Sequence, residues 1–285
     1  MMEARSFPKR FLLFISSIAS TYSGKIGLVL SISLILTAVF APWVAPYPPR
    51  AMSGVPYSYP SLSHLLGTDD IGQDLLSQLI WATRGSLLIA ISAGLLTALA
   101  GTTVGLFSGY YGGRIGEGLM RFTDVVLVLP LLPLLIVMAA YFPASIILVI
   151  GVISFLEWPQ IARVIRSQTL TLKTRPFVDA SKLCGMSDLE IMFKVLLPNL
   201  ISLVLLYAVF AAVTAVVMES GLDFVGLGSI ANLSWGVMLY FALARFAMIR
   251  GMWWWFIPPG LMIAIMGTGF ILIGYEIERV TRLRV

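Results

Sequence analysis

The chain has 285 residues, of which 59% are hydrophobic and only 12% charged, with a mean hydropathy of +0.94. A soluble domain cannot hide that much apolar surface, so the composition excludes one and implies a polytopic membrane protein whose single bundle uses up the length. The lone cysteine, Cys184, rules out an intrachain disulfide and cannot build a zinc site with the lone histidine, His64. The net charge of +5 matters through where it sits, and no nucleic-acid partner is expected.

Residues 1–25 place Arg5, Lys9, Arg10 and Lys25 around the apolar run FLLFISSIAS. Such a start reads either as a cleaved signal peptide or as an interfacial helix, and the full-length span that follows at once favours the helix. Residues 26–44 form that first span, closed by Pro42, Trp43, Pro46, Tyr47, Pro48 and Pro49, which break helices and seek interfaces. A polar loop to about Arg84 clusters Asp69, Asp70 and Asp74. Their spacing is not that of a calcium loop, and Ser/Asp turn caps before a helix explain them better. A second span over 86–109 is rich in small residues that let helices approach closely. GYYGGRIGEG lacks the Gly-Lys-Ser/Thr ending of a phosphate loop and reads as a tight turn.

A third span covers 125–142, bent by Pro130 and Pro133, and a fourth covers 146–165. Glu157 stands in the fourth. A carboxylate at mid-membrane costs about 2.5–3.5 kcal/mol, so it needs a partner or water. It is a candidate pathway residue on one reading and a carboxylate snorkelling near the cytoplasmic interface on the other. A fifth span runs over 200–219. The segment to Arg250 reads as an outer-face loop with a short partial helix. Trp253, Trp254 and Trp255 open a sixth span over 254–275 as an aromatic belt, and residues 276–285 form a short basic tail.

Between the fourth and fifth spans, residues 173–198 break the apolar pattern and read as two short helices. Pro176 suits a first helical turn. Phe177, Ala180 and Cys184 share one face, with Asp179 and Lys182 turned away. Gly185 fits a left-handed cap, and Ser187 followed by Glu190 reads as a capping box for a second helix. That helix is apolar through Ile191, Phe193, Val195 and Leu197 before Pro198.

The pattern Asp179-Ala180-Ser181, Gly185 and Val195-Leu196-Leu197-Pro198 resembles the EAA motif of permease subunits in binding-protein-dependent ABC importers, with Asp179 for the usual Glu and Ser181 for the second Ala. The stretches HLLGTDDIGQDLLSQLIWATRGS and ESGLDFVGLG are similar to segments of the dipeptide/oligopeptide subfamily, where Gln73 stands for a usual Arg and Glu219 occupies the family's acidic position. The resemblance implies an all-α membrane protein with six transmembrane helices, a type I ABC importer permease fold and both termini cytoplasmic. It also implies a coupling loop over 173–198 in which Asp179, Ala180, Ser181, Gly185, Ser187, Asp188, Leu197 and Pro198 dock on ATPases. The implied partners are a homologous permease, two ATPase subunits that carry ATP and Mg, an extracytoplasmic substrate-binding protein and the lipid bilayer. The chain itself has no P-loop and is expected to bind no cofactor.

Sidedness supports the same arrangement. With six spans and the start inside, only Arg50, Arg84, Arg245 and Arg250 of the 19 basic residues fall outside, so the positive-inside rule puts 173–198 in the cytoplasm. The rival classes are an intramembrane enzyme, which would need a paired Asp or a Ser/His dyad within the spans, and an uncoupled channel. Within the favoured class the cargo is a di- or oligopeptide, with an oligosaccharide as the alternative.

Overall fold

The computed structural model describes residues 19–142, 145–224 and 231–282, so most of the basic N-terminal segment, part of ESGLDFVGLG and the end of the tail lie outside the described residues. The regular structure among the described residues is helical, in the order α1 (Tyr22–Val44), α2 (Leu75–Tyr111), α3 (Gly113–Val128), α4 (Leu131–Tyr141), α5 (Ile146–Lys173), α6 (Pro176–Leu183), α7 (Asp188–Phe224), α8 (Trp235–Ala244) and α9 (Trp253–Arg282). Five of them, α1, α2, α5, α7 and α9, are long and apolar enough to cross a membrane.

The expected third span is not one helix. Pro130 supplies no N–H, and the chain is extended at Leu129 and Pro130, so the segment divides into α3 and α4. The other spans run past their expected ends wherever a cap lies further out. Asp74 accepts from the Ser77 N–H at 2.8 Å and starts α2 eleven residues before Ser86. At 37 residues α2 is roughly 55 Å long, well beyond a hydrocarbon core of about 30 Å, so it projects from the bilayer.

Helix α2 is the axis of the bundle, packed along α5 and α7. Gly101, Gly105 and Gly109 recur every four residues and so line one stripe of α2. A Cβ on Gly101 would lie 2.6 Å from the Ile161 Cβ; on Gly105, 2.6 Å from the Ala162 carbonyl oxygen; on Gly109, 2.6 Å from the Thr169 Cβ. Helix α5 therefore rests on the backbone of α2. In lipid, where apolar burial gives no advantage between helices, this close packing supplies the contact energy. Gly94 does the same toward α7, where a Cβ would meet the Ala208 carbonyl at 2.8 Å.

At one end of the bundle the chain between α1 and α2 folds into a cap against the start of α9. Asp70 pairs with Arg245 at 2.9 Å, Arg250 lies over the Tyr57 ring at 4.4 Å, and Tyr59 meets Trp254 with ring centroids 5.1 Å apart. The aromatic-belt expectation holds for Trp253 alone, which is 54% exposed. Trp254 and Trp255 are buried because the cap covers them. Two of the three aspartates, Asp69 and Asp74, serve the turn and the cap that the sequence reading expected, whereas Asp70 pairs with Arg245. Asp74 caps α2 and also meets the His64 Nδ1 at 2.9 Å, and Asp69 accepts from the Ile71 and Gln73 N–H groups. Burial pushes the Asp69 carboxyl above the ordinary aspartate range, against those hydrogen bonds and one from the Gln78 amide.

The glycine stripe yields a direct test. Gly105→Ala places a methyl against a backbone oxygen that cannot move alone, and overpacking of this kind costs about 1–3 kcal/mol. Gly118→Ala in α3 has open space around it, and alanine is the better helix former. Thermal unfolding of the detergent-solubilised permease should show Gly105→Ala melting below the wild type and Gly118→Ala at or above it.

Candidate docking surface

At the opposite end of α2 from the cap, residues 173–198 stand on the bundle as one built unit. Pro176 is the first residue of α6, as its fixed φ and missing N–H suit it. Cys184 ends the helix, Gly185 follows at φ +80°, and the Met186 N–H returns to the Ser181 carbonyl at 3.2 Å. That is a left-handed stop of the kind that glycine adopts without strain. Ser187 then caps the next helix: its hydroxyl accepts from the Glu190 N–H, and the Glu190 carboxylate accepts from the Ser187 N–H at 3.1 Å, closing the capping box.

Two expectations about this unit change. The second helix is not short; it is the first turn of α7 and runs without interruption into the membrane. Pro198 does not end it because residues Ile191–Leu196 wind as a π turn, with the Leu197 N–H on the Met192 carbonyl. The wider turn accommodates a proline that has no hydrogen to donate. The buried face of α6 is also different. Val178 is its anchor at 0% exposure, whereas Phe177, Ala180 and Cys184 are exposed. Ile191, Met192 and Leu196 are equally buried and share a cluster with Val178, Leu106, Tyr110, Ile161 and Ile165. Neighbours from α2 and α5, remote in the sequence, select which face is covered.

The sequence-predicted residues divide accordingly. Asp179, Ala180, Gly185, Ser187 and Asp188 are exposed, Ser181 is half-buried with its hydroxyl on the Phe177 carbonyl, and Leu197 and Pro198 belong to the stem of α7. Asp188 accepts a 2.6 Å hydrogen bond from the Tyr110 hydroxyl, and Lys173 donates to the Tyr110 carbonyl while lying 5.4 Å from that ring's centre. Tyr110 thus ties the ends of α2 and α5 to the start of α7. Sequence reasoning missed it because its partners stand 63 and 78 residues away, and a tyrosine at the end of a span has an interfacial explanation already. Around the unit, Leu183 is 90% exposed, with Leu189, Phe193 and Phe177 also exposed, so an apolar crown rises on a buried base. An exposed cluster of this kind marks an interaction surface.

Glu157 lies apart from this unit. It is the twelfth residue of α5, next to Trp158, whose carbonyl faces Gly101 of α2. It is half-buried and has no hydrogen-bond or ion-pair partner among the described residues. Glu219 and Asp223, one turn apart on α7, are buried near the other end, where the Ser234 hydroxyl donates to Asp223 at 2.6 Å.

Comparison with known proteins agrees with this architecture. Residues 101–275 match the model of the binding-protein-dependent transport system inner membrane component, and residues 23–63 match the N-terminal transmembrane domain of oligopeptide transport permease C. The chain is 37% identical over 219 residues to the oligopeptide transport system permease protein OppC of Lactococcus lactis subsp. cremoris (strain SK11), covering 76% of this chain and 74% of that one. It is 34% identical over 276 residues to the di/tripeptide transport system permease protein DppC of Pseudomonas aeruginosa (strain UCBPP-PA14), covering 94% and 90%. In fold it is similar to a chain of the MetNI methionine ABC transporter in an inward-facing conformation, with a TM-score of 0.58, 18% identity and coverage of 74% of this chain and 98% of the other. An all-helical bundle with apolar crossings, matched over most of its length, places the chain in the family of binding-protein-dependent transport system inner membrane components, the non-catalytic permease subunits of ABC importers.

Proposed function

We propose that the chain is one of two permease subunits of an ATP-driven importer of di- and oligopeptides, and that 173–198 is its coupling loop. The observation that carries this reading is the contrast within the loop. Its crown of Phe177, Leu183, Leu189 and Phe193 is exposed, while Val178, Ile191, Met192 and Leu196 beneath it are fully buried. A partner that grips the crown therefore moves α7 directly, because the start of that helix is the docking element itself. ATP and Mg belong to two partner ATPases, a homologous permease completes the pore, and an extracytoplasmic binding protein delivers the cargo. Closure of the ATPases draws the loops together and tilts the spans, which opens the central path alternately to either side.

In this arrangement α3 and α4 together make the sixth crossing, broken at Pro130, and both termini face the cytoplasm. The distribution of charge supports the orientation. Arg50, Arg84, Arg245 and Arg250 all gather at the capped end of the bundle, away from the loop. Peptide is favoured over oligosaccharide as cargo because the relatives that cover most of the chain carry names of peptide systems.

The orientation is testable by thiol labelling in intact cells. In a Cys184→Ser background, a cysteine at Ser63 should react from outside, and one at Ser187 only after lysis. The reverse pattern would invert the topology. With purified ATPase present, the Ser187 cysteine should become protected.

Gly185→Val isolates coupling from folding. A Cβ there meets open space, so the cost is backbone strain of about 1–3 kcal/mol at a positive φ. The variant should accumulate in the membrane normally yet lose the ATPases, or keep them with hydrolysis uncoupled from uptake. Normal coupled transport by Gly185→Val would remove the loop from the mechanism.

Glu157→Gln asks a separate question. If the carboxylate lines the path, the variant should change the rate or pH profile of uptake at wild-type abundance. If only abundance falls, the residue is structural.

A further inference from the structure

Of the five helices among the described residues that are long and apolar enough to cross a membrane, α2 alone contains no proline. Pro42 lies in α1, Pro159 in α5, Pro198 in α7, and Pro258 and Pro259 in α9. A proline has no backbone N–H to donate, so every other crossing has a gap in its ladder of hydrogen bonds. Helix α2 has none, and its glycines are clamped against α5 and α7.

The two ends of this helix are tied to the two faces of the molecule. At its start, Asp74 caps the helix and meets the His64 ring of the α1–α2 loop, and the Leu75 N–H donates to the Gly67 carbonyl of the same loop at 3.2 Å. At its other end, Tyr110 is the penultimate residue, 4% exposed and in one cluster with Val178, Ile191 and Leu196. Its hydroxyl donates to the Asp188 carboxylate at 2.6 Å. Its carbonyl, one of the four that a helix end leaves without an intrahelical partner, accepts from the Lys173 ammonium. Asp188 is the first residue of α7, where a carboxylate also suits the positive end of the helix. One hydroxyl thus joins the proline-free helix to the first residue of the docking helix. The ring alone would fill the cluster; the hydroxyl adds a charge-assisted bond that fixes the start of α7 relative to α2.

We propose that Tyr110 is a positioning residue of the transport cycle: through its bond to Asp188, α2 carries the arrival of the loaded binding protein at the capped end to the ATPases at the docking unit. The inference rests on the permease reading and its orientation above, and it names the path of coupling that the reading leaves open. Val178, Ile191, Met192 and Leu196 hold the unit on the bundle with or without this bond, so removing the hydroxyl separates communication from assembly.

The experiment uses the complete transporter, with its binding protein and ATPases, in proteoliposomes. ATP hydrolysis per assembled complex is measured with and without binding protein loaded with tri-alanine. The readout is the peptide-dependent increase relative to the rate without peptide, so a change in abundance or ATPase association divides out. Tyr110→Phe keeps the ring and the carbonyl that Lys173 meets, and removes only the hydroxyl. Loss of a hydrogen bond to a charged group shifts an equilibrium by about tenfold, and the relative increase should fall by that factor, with tri-alanine uptake falling in step. Asp188→Asn retains an acceptor and should keep most of the increase, whereas Asp188→Ala should lose it. Adding Tyr110→Phe to Asp188→Ala should cost nothing further, because the two groups act through one bond. An unchanged increase in Tyr110→Phe overturns the proposal, assigns the path to α5 and α7, and leaves the permease function standing. Losses that add in the double variant overturn it as well, and so does a lower yield of complex with the relative increase intact, which makes the hydroxyl structural. Uptake by the wild type with no peptide-dependent increase in hydrolysis overturns this inference alone. Absence of both overturns the importer reading and the inference with it.

Discussion

The contact between α2 and α5 is the constraint on which the remaining structure depends. Three glycines at four-residue intervals let α5 approach the α2 backbone so closely that a single methyl would collide with it. Helices in lipid gain nothing from mutual apolar burial, so proximity itself must supply dispersion contacts and exclude lipid. The stripe also sets the register. With Gly109 opposite Thr169, the ends of the two helices arrive together, and Tyr110 and Lys173 meet. Tyr110 can then reach Asp188 on the next element. The position of the 173–198 unit is thus inherited from the packing of α5 along α2.

That inheritance explains why the unit has both a rigid base and an apolar crown. The capping box and the left-handed glycine define its shape locally, but neither holds it against the bundle. Val178, Ile191, Met192 and Leu196 do so, each without solvent exposure. The π turn completes the arrangement, because it allows Pro198 to lie within a continuous helix instead of terminating it. The start of the unit's second helix and the span that follows are therefore one continuous helix.

The capped end follows a different logic. There Asp69 and Asp74 serve a turn and a cap, Asp70 pairs with Arg245, and Trp254 and Trp255 are met by Tyr59 and Tyr57 of the α1–α2 loop. Arg50 and Arg84 line the cavity beside them. Two carboxyl groups, those of Glu219 and Asp223, line a much smaller adjoining cavity that shares Gly85, Ile146 and Asn232 with the first.

Composition and local pattern alone determined the membrane class, most of the apolar spans, the tight Gly112–Gly113 turn, the aspartate caps and the Gly185 and Ser187 signals. Each of these depends on residues within about one helical turn of one another. Tertiary structure decided what local pattern could not. It chose Val178 over Phe177 as the buried face of α6, merged the helix after Ser187 with the following span as α7, and buried Trp254 and Trp255 beneath a loop. The physical reason is common to all of these. In a chain that is apolar nearly everywhere, hydrophobicity no longer distinguishes inside from outside, and only the helix that happens to lie alongside determines which residues are covered.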